Sequence, residues 1–148
     1  MVRWAPRLRL SRRGHHKTMR MTVRLDLPRE ADSVPTVRRL LRSTLAVLRI
    51  DNEAQDDLEI AITEACSNVV RHAGGTEMFE VCLDVAENHC SIDVRDNGTG
   101  FDVDQVGSAG PESESGRGLA LIKALGENVR MHSVPKHGSL IHFEKSFA

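Results

Sequence analysis

Aromatic side chains are almost missing from this chain: Tyr is absent, Trp occurs once and Phe four times, so aromatics make up 3% of 148 residues. A core must then be assembled from Leu, Ile, Val and Ala, and recognition of single-stranded nucleic acid through stacked bases loses its usual means. Cysteine is scarce too. Cys66, Cys82 and Cys90 form an odd set without a CxxC pair, which argues against a disulfide framework and a zinc knuckle. The histidines form neither HExxH nor a finger spacing. No apolar run approaches the roughly 20 residues that span a bilayer, and the N-terminal segment lacks the continuous apolar stretch of a secretory signal. The reading is a soluble cytoplasmic chain with no membrane partner, in which the Asn97-Gly98-Thr99 sequon carries no meaning.

Charge of one sign is lacking only locally. Residues 1–20 hold seven Lys or Arg and no acid, leaving 13 basic against 21 acidic residues in the remainder, a charge of −8. Residues 1–20 read as a basic, disordered arm or as sequence upstream of a true start at Met19 or Met21. A direct nucleic-acid or membrane-surface contact is the weaker alternative. Residues 21–148 fit one domain of common size.

Hydrophobic periodicity orders that domain. Met21 to Leu27 alternates as a half-buried strand, and a helix follows from about Ser33 to Leu48, with Val37, Leu40, Leu41, Leu45 and Leu48 on one side. A second helix is expected from Asn52, as N-cap, to His72, where Gly74-Gly75 stops it. Met78 to Val85 and Cys90 to Arg95 alternate as two strands around Glu87-Asn88. Asp102 to Ser115 reads DVDQVGSAGPESES, a long polar loop of the kind that serves as a lid or binding segment. Leu119 to Leu125 reads as a short helix, and Val129 to Val134 with Ser139 to Phe147 as a final hairpin. The order implies an α/β protein of α+β two-layer type, a mixed sheet covered on one face by helices.

Three short stretches carry chemistry. On a helical wheel with Glu64 at zero, Leu58, Ala61, Ile62, Ala65, Cys66 and Val69 fall between about 60° and 200°, while Asn68 falls at about 40°. Glu64 and Asn68 thus share a face beside the buried arc, where a carboxylate and an amide oxygen can hold a proton acceptor and a hard cation together. In RDNGTGFD, residues 95–102, Asn97-Gly98 suits a tight hairpin turn. Turn chemistry explains neither Gly100 nor Asp96 at the end of a buried strand. Gly116-Arg117-Gly118 lies between the polar loop and the short helix, where glycines let backbone amides approach a phosphate. No Walker GxxxxGK[ST] and no GxGxxG occurs, so a phosphate site here is of neither P-loop nor Rossmann type.

In this order, EACSNVVRHA (64–73), DNGTGFD (96–102) and SGRGLALIKAL (115–125) resemble the N, G1 and G2 boxes of the GHKL or Bergerat-fold ATPases, most closely the anti-sigma-factor serine/threonine kinases. The resemblance implies the Bergerat fold, ATP and Mg²⁺ as cofactors, Asn68 as the metal ligand and Glu64 as the catalytic base. Asp96 would accept from the adenine amino group, with Gly98 and Gly100 approaching the base. Gly116, Arg117 and Gly118 would close on the phosphates, and Gly138-Ser139 would be the counterpart of a Gly-Thr that seats the adenine. It further implies a homodimer that binds a sigma factor or a STAS-domain anti-sigma antagonist, phosphorylating the latter. The arginine that several relatives carry ahead of the G2 glycines is not present here, where Glu112, Ser113, Glu114 and Ser115 stand. A non-catalytic, ATP-dependent binding module acting as a partner switch is the alternative. Arg71, beside the N box, is a second candidate contact to phosphate or partner.

Overall fold

The computed structural model describes residues 3–4, 7–13, 16–72, 78–96, 114–134 and 138–147. In chain order these form β1 (Arg3–Trp4), β2 (Arg7–Arg13), β3 (His16–Pro28), α1 (Ser33–Val47), α2 (Asn52–His72), β4 (Met78–Ala86), β5 (His89–Asp96), α3 (Glu114–Leu125), β6 (Glu127–Val134) and β7 (Gly138–Ser146). The sheet runs β1-β3-β4-β5-β7-β6, with β2 also on β3. Every described ladder is antiparallel, so within the expected two-layer α+β class the sheet is not mixed.

Alternation sets the faces of the sheet, since side chains two residues apart point the same way. Val23, Leu25 and Leu27 of β3, Val81, Leu83 and Val85 of β4, Ile92 and Val94 of β5, and Ile141 and Phe143 of β7 are buried on one face. Against them lie Val37, Leu41 and Leu45 of α1, Leu58, Ile62, Ala65 and Val69 of α2, and Leu119 and Ile122 of α3. The other face is polar and carries the pairs Arg20–Asp84, Arg24–Glu80 and His142–Asp93. Cys66, Cys82 and Cys90 are free thiols. Burial pushes Cys66 up to about 12, and burial with the Asp84 charge does the same for Cys90.

The structure departs from the sequence reading in three places. The first long strand begins at His16 instead of Met21, and Arg7–Arg13 pairs with it in register from Arg7↔Thr22 to Arg13↔His16. The arm read as disordered is therefore drawn into the sheet edge, its RLRLSRR having the two-residue period of a strand. Asp51, not Asn52, caps α2: the Ala54 amide donates to Asp51 Oδ1 at 2.7 Å. Third, α3 begins at Glu114, so Gly116 and Gly118 lie inside its first turns and not ahead of it.

Two local devices hold the helices in place. At the end of α1, Arg49 takes φ 56°, and the Arg49 and Ile50 amides donate to Ala46 O and Leu45 O at 3.0 and 3.1 Å, a Schellman ending made without glycine. Lys145 Nζ of β7 donates to Asp57 Oδ2 of α2 at 3.1 Å and to Leu125 O, the last residue of α3, at 3.0 Å. None of the described helices is long and apolar enough to cross a membrane.

The cap assignment can be checked directly. Asp51→Ala is expected to cost about 1 kcal/mol of stability through the lost cap, while Asn52→Ala changes it by less than about 0.5 kcal/mol. Urea unfolding followed by circular dichroism measures both.

Candidate functional site

The strand alternation that buries Ile92 and Val94 also buries Asp96, the last residue of β5, which is 1% exposed. A carboxylate at a core-facing position is costly unless donors meet it. Ser139 of β7 stands directly opposite in the ladder and is 6% exposed, on the same face as Ile141 and Phe143. Gly138 precedes it with φ 112°, a conformation that glycine adopts without steric cost. Asp96 and Ser139 therefore make a short polar end to a row that is otherwise hydrophobic, with Phe79 on the third strand beside them.

Above the sheet, α2 presents Glu64 and, one turn on, Asn68. Asn68 is buried, its Nδ2 meets no hydrogen-bond partner among the described residues, and its Oδ1 accepts from Arg71 Nη2 at a long 3.4 Å. A buried amide with spare hydrogen-bonding capacity is the kind of group a polar ligand satisfies. The shared helix face read from the sequence is thus present, and Arg71 stands at its edge.

The contact that closes the arrangement is between helices. α3 passes so near α2 that a Cβ added to Gly118 would lie 2.6 Å from Glu64 Oε2, closer than real Cβ atoms approach. A side chain at 118 would therefore have to displace the Glu64 carboxylate, which sits against the N-terminal turns of a helix, where the dipole favours negative charge. Arg117 is exposed on the same turn. Gly98 and Gly100, the Asn97-Gly98 turn and most of the expected lid fall outside the described residues.

Glu64 also has a second neighbourhood that the sequence reading missed. It ends an open groove of about 500 Å³ between α1 and α2, whose lining includes Ile60 and Thr63. The available signal was Ile60 itself, an isoleucine about 100° off the apolar arc of α2.

Comparison with known proteins bears on this arrangement. Residues 27–145 match the model of the family described as the histidine kinase-like ATPase domain. The chain is 32% identical over 128 residues to the serine-protein kinase RsbW of Listeria monocytogenes, covering 78% of this chain and 82% of that one. It is 29% identical over 121 residues to the serine-protein kinase RsbW of Bacillus cereus, covering 74% and 76%. Among solved structures, the RsbU and RsbW domains of a Mycobacterium tuberculosis protein superpose with a TM-score of 0.64 at 22% identity. That likeness is one of fold, and it spans 84% of this chain but 32% of the longer one.

The packing of Gly118 on Glu64 predicts a coupled pair. Gly118→Ala gains about 1 kcal/mol of helix propensity but displaces the Glu64 carboxylate, so it should be less favourable, by about 0.5 kcal/mol or more, than the same change in a Glu64→Ala background, where the opposing carboxylate is gone. A double-mutant cycle by urea unfolding gives the coupling; additive effects would count against the contact.

Proposed function

The chain belongs to the histidine kinase-like ATPase domain family, and on that footing we propose that it is an ATP-dependent protein serine kinase of the anti-sigma-factor type. In this reading it acts in the cytoplasm as a homodimer, binds a sigma factor, and phosphorylates a serine of a STAS-class antagonist. The observation that carries the reading is the position of Glu64, held between the first turns of α3 and an open groove on the other side. Phosphoryl transfer asks a protein mostly for positioning and charge neutralisation, so one oriented base and one metal ligand are enough.

The roles follow from that placement. Glu64 takes the proton of the acceptor hydroxyl as its oxygen attacks the γ-phosphorus; the bond to the β-phosphate oxygen breaks and ADP leaves. Gly116 and Gly118 let the backbone of α3 approach the phosphates, and Arg117 adds positive charge on the same turn. Asp96, with Ser139 across the ladder, accepts from the adenine amino group. The Asn68 amide oxygen is a hard donor of the kind Mg²⁺ takes, and it would hold the ion through Oδ1 in place of the long contact from Arg71. When bound, the ion would neutralise phosphate charge. Gly98 and Gly100 are assigned to the approach of the adenine on the sequence pattern alone.

A second reading is favoured by the acidic residues Glu112 and Glu114 ahead of the G2 glycines: a binding module in which ATP occupancy sets the partner surface without turnover. Radiolabelled ATP incubated with a STAS-class antagonist separates the two, since the module binds ATP and labels nothing. Glu64→Ala is expected to slow transfer by about 10²-fold or more with ATP affinity held. Equal transfer by that variant would remove Glu64 from the mechanism. Asp96→Asn is expected to weaken ATP binding by about tenfold or more, the loss of a charge-assisted hydrogen bond, with an unchanged unfolding midpoint; calorimetric titration reads the first and a urea melt the second.

A further inference from the structure

From the groove between α1 and α2 we infer a specificity determinant for the acceptor: Ile60 is the anchor for an apolar side chain two residues from the phosphorylated serine. The inference rests on the kinase reading above and deepens it. The groove has about 500 Å³, within the range of sites that hold a small ligand or a short segment. One wall is charged but internally neutralised, because Arg38 of α1 pairs with Glu59 of α2 at 3.0 Å and Arg42 pairs with Glu59 and with Asp56, the latter at 3.1 Å. These pairs hold the Glu59 carboxyl below its ordinary range, the hydrogen bond from Arg38 first. These four charges cancel, so the only uncancelled charge on the lining is that of Glu64 itself. What remains for recognition is the α2 side, where Ile60 is 44% exposed and Thr63 lies beside it.

Spacing turns that exposed side chain into a rule. Ile60 and Glu64 are four residues apart on one helix, a rise of about 6 Å. An extended chain advances about 3.3 Å per residue and points every second side chain the same way. A segment laid along α2 with its serine at Glu64 therefore turns the side chain two residues away toward Ile60, and the one between them away from the helix. The groove ends at the proposed base, so continuity with the site names the occupant: a serine-bearing segment of a protein substrate with Leu, Ile, Met or Val at that position.

The test is phosphotransfer from radiolabelled ATP, by the full chain, to an array of peptides with a central serine and every flanking position varied. Wild-type protein should label best the peptides with an apolar residue two places from the serine, on one side. Ile60→Glu should lower that labelling by about 10- to 100-fold, the discrimination an apolar pocket supplies, with ATP affinity unchanged. Val47→Glu, at another exposed apolar residue and outside the groove, should match wild type. Circular dichroism melts establish that both variants are folded. Labelling that is indifferent to the residue at that position, or unchanged in Ile60→Glu, overturns the groove and leaves the kinase reading standing. A wild-type protein that labels an intact STAS-class antagonist but no peptide overturns the groove alone, and one that binds ATP and labels neither overturns both.

Discussion

One carboxylate must fit under a helix that has no side chain to spare there. Glu64 Oε2 lies 2.6 Å from where a Cβ on residue 118 would be, so with α3 this near α2 the carboxylate keeps its place only beside a glycine. The neighbouring geometry follows from this closeness. α3 can bury Leu119 and Ile122 in the common core only if its first turns come in against α2. Doing so brings the positive end of its dipole to the acidic side chain. A larger residue at 118 would push the helix from the core or the carboxylate from its place; either way the two would no longer be registered.

The sheet contributes by parity. Its helix-facing rows are apolar through the middle of β3, β4, β5 and β7, and the pattern breaks towards the ends, at Lys145 on one side and on the other where Asp96 and Ser139 face each other. A single-residue slip of either strand would turn that pair to the polar face and expose the row behind it. The polar pair is thus held in register by the hydrophobic residues preceding it.

Much of this was legible from residues alone. Strict alternation gave β4 to β7 within a residue or two, though it began β3 five residues late and left β1 and β2 in the arm, and the i, i+4 relation of Glu64 and Asn68 needed only a helix. Asp96 stood out as an acid at a core-facing strand position. What could not be read was tertiary in origin. Two glycines at 116 and 118 argue locally against a helix, each less favourable than alanine by about 1 kcal/mol, yet α3 runs through them because packing on α2 outweighs propensity. Arg49 ends α1 in a conformation usually left to glycine, which no pattern announces. Asp51 and Asn52 are both good caps, and only the chain path decides between them. The α1–α2 groove depends on how two helices lie together, which the position of Ile60 on a helical wheel does not reveal.

Lys145 gives α3 an unequal mechanical footing. By holding both Asp57 and the Leu125 carbonyl, it pins the far end of that helix to the start of α2. The opposite end rests on Glu64 through an atom-wide gap. Gly118 stands seven residues, about 10 Å, from Leu125, so a tilt of about 5° at the pinned end swings the contact with Glu64 by roughly 1 Å. α3 is in effect a lever with its fulcrum remote from the chemistry, and small displacements at the Lys145 clip are magnified where the carboxylate stands.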